Sequence, residues 1–500
     1  MFKKILIANR GEIAVRIMRT CREMGITSVA VFSEVDRKAL HVRFADEAYF
    51  LGEAKPSESY LNIQKIIDIA KKSRAEAIHP GYGFLAENSE FVRRCEEEGI
   101  VFIGPPSLPM ELMGKKTTSR RIMAEAGIPI IPGTIESIKS EKELREKAKE
   151  LGFPLLLKAS AGGGGKGLRL VTREEDLLSS YRLAQSEAKS SFADPSVYVE
   201  KYIEEPHHIE IQVLADNFGN TVYLGERECS IQRRYQKVIE ETPSPFLDEK
   251  TRKEMGEVAV RAVAAVGYRN AGTVEFVVDK NRKFYFLEMN TRLQVEHPVT
   301  EMVTGIDLVK AQIEIASGMP LPFTQDEIKP RGFSMECRIY AEDPDNDFAP
   351  SPGRITYLRA PSGGLGIRED SGIYEGYVVP LDYDPLLAKL ISWGASRQEC
   401  IQRMLRALSE YQILGIKTTI PFFKRILLHP KFYRGDYNTH FISNLEKEKD
   451  GEEREERRVA LIAAGIKAYM ERKENFIPSS KTELNSWKLR GRMQNFMNRL

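Results

Sequence analysis

FLEMNTRLQVEHPVTE, residues 286–301, places a polar side chain at every second position through its middle. In an extended chain successive side chains point to opposite faces, so these polar residues would share one face and apolar residues the other. The stretch therefore predicts a strand whose polar face is formed by Glu288, Asn290, Arg292, Gln294 and Glu296. An ordinary solvated strand face is the alternative interpretation.

The chemistry of this polar face favours a reactive site over a solvated surface. Glu288 and Asn290 offer the hard oxygen ligands that Mg²⁺ prefers. Arg292 presents a planar fork that suits a planar anion, and Glu296 is a candidate general base. Metal, anion and base are thus predicted within one short stretch.

A β-hairpin is predicted upstream, from strands at 272–279 and 283–290 joined by a turn at 280–282. It would bring Glu275 within cross-strand reach of Glu288 and Asn290. Two unpaired carboxylates brought together repel each other, and a divalent ion removes that cost. The hairpin therefore predicts a site for a nucleotide with Mg²⁺.

Residues 1–112 alternate short apolar strands with amphipathic helices, which predicts a parallel sheet with helices on both faces. The first turn, at residues 9–11, lacks the GxGxxG pattern of a dinucleotide site. The turn at Gly81, Tyr82 and Gly83 either lets a ligand approach the backbone or is a tight turn only.

The next region predicts a helix over 111–137 and then a smaller α/β unit that contains a glycine-rich hairpin loop. Lys158 lies at the base of this loop, within reach of a phosphate. Backbone N–H groups of such a loop can wrap phosphates, whereas a plain flexible loop is the alternative. No Walker pattern is present. The loop residues in question are Gly162, Gly163, Gly164, Gly165, Lys166 and Gly167.

Three further features keep two interpretations each. Glu200 and Lys201 form either a surface ion pair or contacts to a purine edge. The basic run IQRRYQKV at 231–238 either holds an anion or is a solvated turn. Arg338 lies on a strand of a β-rich third region, either paired in a core or lining a cleft.

Composition narrows the class of protein. A length of 500 residues with 42% hydrophobic and 29% charged residues is typical of a globular protein with about three domains, or of one large multi-lobed enzyme. A net charge of +2 gives no sign of a nucleic-acid partner, and no apolar run reaches the length of a membrane span. Five scattered cysteines and an N-terminus unlike a signal peptide predict a cytoplasmic protein with reduced, buried thiols.

Several separate motifs together resemble biotin carboxylase, the ATP-grasp subunit of biotin-dependent carboxylases, from Lys3 to about residue 446. The motifs are ANRGEIAVRI, HPGYGFLAEN, KASAGGGGKG, EKYIEEPHHIEIQVLAD, ECSIQRR, FLEMNTRLQVEHPVTE and MECRIYAEDP. The resemblance implies formation of carboxyphosphate from ATP and bicarbonate, followed by carboxylation of biotin on a carrier. It implies an α/β fold (α+β overall) with a Rossmann-like lobe at 1–112, an ATP-grasp domain at 113–330 with a mobile lid at 131–203, a β-rich domain at 331–446 and a charged linker and helical tail at 447–500.

The resemblance also implies a nucleotide and metal site. The phosphate clamp would comprise Lys116, Lys158 and the glycine loop at 162–167. The adenine-binding stretch would be Glu200, Lys201 and Ile203, with His208, Gln232 and Tyr235 near the ribose and phosphates. One or two Mg²⁺ or Mn²⁺ ions would be held by Glu275, Glu288 and Asn290.

The remaining implied roles concern bicarbonate and biotin. The bicarbonate pocket would comprise Arg292, Gln294 and Val295, with Glu296 as the base and Lys237 on the carboxyphosphate. Arg338 would stabilise the enolate of biotin, and Tyr82 and Asp384 resemble positions of the biotin cleft. Preorganised cations suit this set of anions.

The chain departs from the family pattern at Tyr235, where the family usually carries histidine, which leaves ATP affinity there open. No Met-Lys-Met biotinylation motif occurs, so we expect the biotin carrier and the carboxyltransferase to be separate chains. A homodimer is expected from the resemblance, and the final carboxyl acceptor is left open.

Two rival hypotheses remain. One is another ATP-grasp ligase, such as a carbamoyl-phosphate synthetase half or a carboxylate–amine ligase. Such an enzyme would share the glycine loop and the acidic hairpin but would not need Arg338 or the pattern from Arg292 to Glu296. The other is a non-catalytic nucleotide-binding scaffold, against which the intact set of reactive residues argues.

Overall fold

The computed structural model describes residues 1–160, 168–192, 194–361, 363–449, 465–467 and 470. Residues 1–442 form one compact unit, and the segment from 443 onward is a second unit. The predicted glycine loop at 162–167 lies outside the described residues. Within the predicted tail, helix is described at 447–449, 465–467 and 470, and the rest lies outside the described residues.

A five-stranded parallel sheet forms the N-terminal lobe, in the order β3-β2-β1-β4-β5. Its strands are β1 Lys4–Ile7, β2 Thr27–Ser33, β3 Glu47–Gly52, β4 Ala77–His79 and β5 Val101–Phe102. The accompanying helices are α1 Gly11–Glu23, α2 Leu40–Phe44, α3 Ile63–Ser73, α4 Ser89–Glu97 and α5 Ser107–Gly114. Ile5 and Ile7 pack into one apolar core and Leu6 into another, so both faces of the sheet are covered, as predicted.

A small three-stranded antiparallel sheet follows, in the order β7-β6-β8. Its elements are α6 Lys116–Glu125, α7 Glu141–Leu151, β6 Leu155–Ala159, β7 Leu168–Val171, α8 Leu177–Phe192 and β8 Val197–Lys201. The hairpin of β6 and β7 confirms the two strands predicted on either side of the glycine loop. The Ser140 side chain caps α7 by accepting a hydrogen bond from the N–H of Glu143.

The single helix predicted over 111–137 is wrong. Helix α5 ends at Gly114, and α6 ends at Glu125. Gly127 then adopts a positive φ of 69°, which ends helical geometry. Beyond it, Ile130 and Gly133 form β-bridges to Phe286 and Glu200, so tertiary pairing replaces helix.

An eight-stranded antiparallel sheet occupies the centre, in the order β13-β12-β9-β10-β11-β14-β21-β19. Its strands are β9 His207–Ala215, β10 Thr221–Arg233, β11 Gln236–Thr242, β12 Asn270–Val278, β13 Phe284–Asn290, β14 Phe333–Tyr340, β19 Ile367–Ser371 and β21 Leu386–Gly394. It carries α9 Glu249–Ala265, α10 His297–Thr304 and α11 Leu308–Ala316. A domain boundary is predicted at residue 330, but strands from both sides of it belong to this sheet, because β11 pairs with β14.

The remaining elements lie in the C-terminal β-rich region. The strands are β15 Glu342–Asp343, β16 Ala349–Pro350, β17 Gly353–Arg354, β18 Tyr357–Arg359, β20 Val378–Val379 and β22 Gln412–Leu414. The helices are α12 Arg397–Glu410, α13 Ile420–Leu428, α14 Pro430–Arg434 and α15 Phe441–Lys449. In the described part of the chain, no helix combines the length and the apolar character needed to cross a membrane.

The predicted hairpin is confirmed, because Glu275 pairs directly with Glu288 across β12 and β13. The prediction of one continuous strand through Glu296 is wrong, since β13 ends at Asn290. A turn at residues 291–296 follows, and α10 begins at His297 with Pro298 in its first turn. Proline suits that position because the first N–H groups of a helix have no intrahelical acceptor.

The N-terminal lobe contacts the C-terminal region closely at Gly372. A Cβ atom at this position would lie 2.7 Å from the backbone nitrogen of Glu12 and 2.8 Å from the carbonyl carbon of Gly11. We expect Gly372→Ala to lower the free energy of unfolding by about 1–3 kcal/mol, because backbone atoms must move apart. Thermal and urea unfolding measure the change.

Gly114→Ala is the matched control, because a Cβ atom there has no heavy atom within 4 Å. It ends helix α5, where alanine is favoured over glycine, so stability should be unchanged or slightly higher. Equal stability of Gly372→Ala and the wild type would contradict the close contact.

Candidate active site

A cavity of about 910 Å³ lies in the 1–442 unit and brings together residues predicted from positions 82 to 384. The predicted residues that line it are Tyr82, Lys116, Lys158, Glu200, Lys201, Ile203, His208, Gln232, Tyr235, Lys237, Glu275, Glu288, Asn290, Arg292, Gln294, Val295, Arg338 and Asp384. Glu296 does not line the cavity; it is fully buried and bonded to two of the lining residues. The geometry therefore assembles one site from the described residues, while their individual roles remain predictions.

Lys237, on β11, is the cation at the centre of this site. Its ammonium group donates to three buried carboxylates, at 2.5 Å to Glu210, 2.7 Å to Glu275 and 2.8 Å to Glu296. Burial alone would lower the pKa of Lys237, but the three carboxylates hold it well above its usual value. Lys237 therefore stays charged, and an incoming anion must compete with these carboxylates for it.

Glu296 lies between two cations. One of its oxygens accepts from Lys237, and the other accepts from Nη2 of Arg338 at 3.0 Å. Burial alone would raise the pKa of Glu296, but Lys237 and Arg338 hold it well below its usual value. The carboxylate is thus ionised near neutral pH and can accept a proton.

Arg338 on β14 satisfies both interpretations left open by the sequence, since it is ion-paired in the core and also lines the cavity. Its Nη2 lies 2.6 Å from Glu240 and 3.0 Å from Glu296. Burial and nearby Glu296 raise the pKa of Glu240 to about 7, although Arg338 acts in the opposite direction. The charged guanidinium of Arg338 therefore lies between the cavity and the buried carboxyl groups of Glu240 and Glu296.

The predicted metal ligands fit a divalent ion. Glu275 and Glu288 face each other across the hairpin, and the Asn290 amide nitrogen donates to Glu275 at 2.8 Å. Burial and the charge of Glu275 raise the pKa of Glu288. The two carboxylates repel each other, and a bound cation would relieve this repulsion. The donors are oxygens of the kind that Mg²⁺ and Mn²⁺ bind. On the other side of this carboxylate, His208 Nε2 lies 3.0 Å from the second oxygen of Glu275.

The predicted bicarbonate residues lie on the turn at 291–296. The Arg292 guanidinium donates to Glu87 at 2.8 Å, to Gln294 Oε1 at 2.9 Å and to Asn290 Oδ1 at 3.1 Å. Glu87 also accepts from the N–H of Thr291 at 3.0 Å, so one carboxylate holds both the turn and the arginine. The guanidinium fork is thereby fixed at the cavity wall.

Glu200 and Lys201 do not form the surface ion pair that was one interpretation. Glu200 is only 2% exposed and pairs with Lys158 at 2.6 Å and with Arg120. Lys201 Nζ instead donates to the carbonyls of Gly152 and Phe153, each at 3.1 Å. Strand β8 pairs with β6 on one side, and Gly133 bridges to Glu200 on the other. These contacts bury the Glu200 carboxylate, for which a surface position was one interpretation.

The basic run at 231–238 divides between two environments. Arg233 and Arg234 both pair with Asp347, at 3.1 and 2.9 Å, and are thereby directed to a neighbouring loop. Lys237 contacts the buried carboxylates, and Tyr235 lines the cavity while 65% exposed. Of the three cations in this run, therefore, Lys237 is the one that reaches the site.

The predicted biotin-cleft residues differ in their surroundings. The Tyr82 hydroxyl is buried and has no hydrogen-bond partner among the described residues. Asp384 is exposed and accepts a hydrogen bond from the N–H of Leu386 at 2.9 Å. An unpartnered buried hydroxyl beside a cavity is a feature that a ligand group would satisfy.

Sequence reasoning missed several charged residues that hold the site together. They are Glu87, Arg120, Glu210, Arg227, Glu240 and Lys389. Glu210 alone had a visible signal, because it lies in the alternating run IEIQVLAD at 209–216 on the same face as His208 and Gln212. Arg227 pairs with Glu210 across the hairpin of β9 and β10. The others have partners that lie far away in sequence. All five cysteines are buried and free, as predicted.

Three family models match the chain. They are "Biotin carboxylase, N-terminal domain" over residues 1–110, "Carbamoyl-phosphate synthase L chain, ATP binding domain" over 115–324, and "Biotin carboxylase C-terminal domain" over 336–444. Among curated relatives, a pyruvate carboxylase subunit of Methanothermobacter thermautotrophicus is 53% identical over 488 residues, covering 94% of this chain and 99% of the relative. Biotin carboxylase 1 of Bacillus subtilis is 54% identical over 447 residues, covering 89% of this chain and 99% of the relative.

Solved structures show the same fold. The biotin carboxylase domain of Hydrogenobacter thermophilus 2-oxoglutarate carboxylase, a dimer in complex with MgADP, ADP and bicarbonate, matches with a TM-score of 0.85 and 50% identity over 89% of this chain and 98% of that one. Biotin carboxylase of Campylobacter jejuni matches with a TM-score of 0.86 and 49% identity over 89% of this chain and 99% of that one. Fold and site thus define an ATP-dependent carboxylase of the ligase class. The chain belongs to the biotin carboxylase family.

The ion pairs of Glu296 predict how stability depends on pH. Its pKa is lowered in the folded state, so it contributes stability above the unfolded-state value of about 4.3 and loses that contribution as pH falls. We expect Glu296→Gln to be less stable than the wild type at neutral pH, and the difference to shrink as pH falls from about 5 toward 3, where the unfolded-state carboxylate takes up a proton before the folded one does. Urea unfolding at a series of pH values measures it; a difference that is constant across this range would contradict the ion-pair assignment.

Proposed function

We propose that this chain carboxylates biotin on a carrier protein, using ATP and bicarbonate and passing through carboxyphosphate. The observation that carries the proposal is Glu296, fully buried between Lys237 and Arg338 beside a cavity that holds a facing pair of carboxylates. This arrangement unites a base, cations for anionic intermediates and ligands for a divalent ion. The close relatives named above support the same activity.

The ATP end of the cavity is proposed to comprise the small sheet and the hairpin. Lys116 and Lys158 would contact the phosphates, with Glu200, Lys201 and Ile203 near the adenine. The metal would be held by Glu275, Glu288 and Asn290, and when bound it would neutralise phosphate charge. Burial lowers the pKa of Lys116, and nearby Lys158 acts in the same direction. The negative charge of the ATP phosphates would offset the repulsion between Lys116 and Lys158.

Bicarbonate is proposed to bind at Arg292, Gln294 and Val295, next to Glu296. Glu296 would take the proton of bicarbonate, and the resulting oxyanion would attack the terminal phosphorus of ATP and release ADP. With Lys237 and Arg338 both in place, Glu296 is a weak base, because its pKa is held low. An anion that draws Lys237 toward itself would weaken that ion pair and strengthen the base.

Biotin is proposed to bind on the side of the cavity formed by Tyr82, Asp384 and Arg338. The Arg338 guanidinium would stabilise the negative charge that develops on the biotin ring as its nitrogen becomes nucleophilic. Carboxyl oxygens of Glu240 and Glu296 already lie 2.6 and 3.0 Å from this guanidinium, which supports the proposal. The Tyr82 hydroxyl, unpartnered among the described residues, would gain a partner there.

The proposed assembly is a homodimeric component of a larger carboxylase in the cytoplasm, with the biotin carrier and the carboxyltransferase on other chains. The pyruvate carboxylase relative named above, itself one subunit of its enzyme, supports a multi-subunit assembly. The proposed division places an N-terminal domain at 1–112, an ATP-grasp domain at 113–330 with a lid at 131–203, a C-terminal domain at 331–446 and a tail at 447–500. The ranges matched by the family models support the first three parts.

ADP release with MgATP tests the proposed reaction. We expect free biotin to stimulate ADP release, and the stimulation to disappear when bicarbonate is removed. The physical reason is that carboxyphosphate must form before biotin can accept the carboxyl group. ADP release that ignores biotin but responds to ammonia or an amino acid would overturn the proposal in favour of another ATP-grasp ligase.

Glu296→Gln tests the proposed base. We expect kcat for biotin-dependent ADP release to fall by about 10²–10⁴-fold, because the amide cannot take the proton. ATP binding, measured by calorimetry, should change little because Glu296 does not line the cavity. Glu241→Gln is the control: Glu241 is equally buried but pairs with Arg397 and Tyr437 outside the cavity. Full activity of Glu296→Gln would show that another group accepts the proton.

A further inference from the structure

The turn at residues 291–296 has two carbonyl groups held by buried side chains from outside the turn. His297 Nδ1 lies 2.8 Å from the Gln294 carbonyl oxygen, and Lys389 Nζ donates to the Val295 carbonyl oxygen at 2.9 Å. Both side chains are completely buried. Because a carbonyl can only accept, His297 must carry its proton on Nδ1. The two peptide groups before Glu296 are thus fixed from the side of the core.

Fixing these carbonyls also fixes the N–H groups that bicarbonate would meet. In a planar trans peptide, the carbonyl and the following N–H point in opposite directions. The bond from His297 therefore orients the Val295 N–H, and the bond from Lys389 orients the Glu296 N–H. No acceptor for the Val295 N–H is found among the described residues, and Val295 lines the cavity. This N–H is directed away from the anchored carbonyl and is available to a ligand.

Lys389 makes one other close polar contact among the described residues, an ion pair with Glu12. It lies on β21 beside Arg338 of β14, and its nearest carboxylate oxygen, on Glu12, is 3.4 Å away. Neither oxygen of Glu12 has a hydrogen-bond partner in the described part of the chain, and burial raises the pKa of Glu12 to about 7 although Lys389 opposes this. The contact with the Val295 carbonyl is therefore the best-formed polar contact of this ammonium group.

A buried ammonium group is an expensive way to fill space in a core. An apolar side chain of similar length would avoid the cost of removing a charge from water. It would supply neither the bond to the Val295 carbonyl nor the positive charge that acts to lower the pKa of the buried Glu12, Glu336 and Asp370 side chains. The same ammonium group also lies 5.7 Å from the centre of the Tyr82 ring, in the proposed biotin cleft. Its position therefore joins the turn, the cleft and helix α1, which supplies Glu12.

We propose that Lys389 is a positioning residue for bicarbonate, which acts by anchoring the Val295 carbonyl, and that His297 is the second anchor, on the Gln294 carbonyl. Together they hold the backbone N–H groups and the Glu296 carboxylate in one orientation toward the bound anion. The inference rests on the proposed function, because it assigns bicarbonate to this turn. It adds two residues that do not line the cavity.

The test compares Lys389→Met with Lys389→Gln. Methionine fills the space without donating a hydrogen bond, whereas glutamine keeps an N–H donor for the carbonyl. We expect Lys389→Met to raise KM for bicarbonate by about 10-fold or more and to change KM for ATP by less than about 2-fold. Lys389→Gln should keep the KM for bicarbonate close to the wild-type value. ADP release in bicarbonate-depleted buffer with defined additions measures both constants.

Arg397→Met is the matched control, because Arg397 is also a buried cation but pairs with Glu241 away from the turn. It should lower thermal stability while leaving the bicarbonate KM unchanged. An unchanged bicarbonate KM in Lys389→Met, an equal rise in Arg397→Met, or equal rises in both KM values of Lys389→Met would each overturn the inference. Wild-type ADP release that ignores bicarbonate would instead overturn the proposed function itself.

If Lys389→Met does not fold, variants of His297, the second anchor, test the proposal instead. Asn places an amide N–H near the position of His Nδ1, whereas Leu cannot donate. We expect His297→Leu to raise the bicarbonate KM by about 10-fold relative to His297→Asn at equal ATP affinity. Equal bicarbonate KM values for these two variants would overturn the anchoring role.

Discussion

The ion pairs of one partly buried ammonium group hold the site together. Lys237 contacts Glu210, Glu275 and Glu296, and none of these carboxylates is accessible enough to be stabilised by water instead. Removing the cation would leave three like charges close together in a medium of low polarity, which is costly. The hairpin that carries the proposed metal ligands and the proposed base both depend on this group for their positions.

The central sheet makes this charge cluster possible. Glu275, Glu210, Lys237 and Arg338 come from β12, β9, β11 and β14, which lie close together in one antiparallel sheet. Neighbouring strands bring side chains of one face within a few ångströms of each other. The fold therefore places residues that are distant in sequence at bonding distance, and a rigid sheet keeps them there. A site built on strands suits a reaction whose charged intermediates need preorganised partners.

Local patterns predicted much of this structure and failed where distant contacts intervene. The period-two pattern and the turn at 280–282 placed Glu275 opposite Glu288, because hairpin pairing depends on nearby residues. The same pattern misled beyond Asn290, where the chain leaves the sheet and Glu87, far away in sequence, holds Thr291 and Arg292. A helix continuing to residue 137 was likewise wrong, because Ile130 and Gly133 pair with distant strands.

The amino-acid sequence alone determined the fold class, the acidic hairpin, the kinds of ligand and base available, and, through its motifs, the family. Such features depend on residue type and short-range spacing. Only the tertiary structure decided that Glu296 is buried between Lys237 and Arg338, that Glu200 is not at the surface, and that Lys389 supports the turn. The reason is physical: burial and charge pairing depend on which distant residues meet, and spacing along the chain carries no such information.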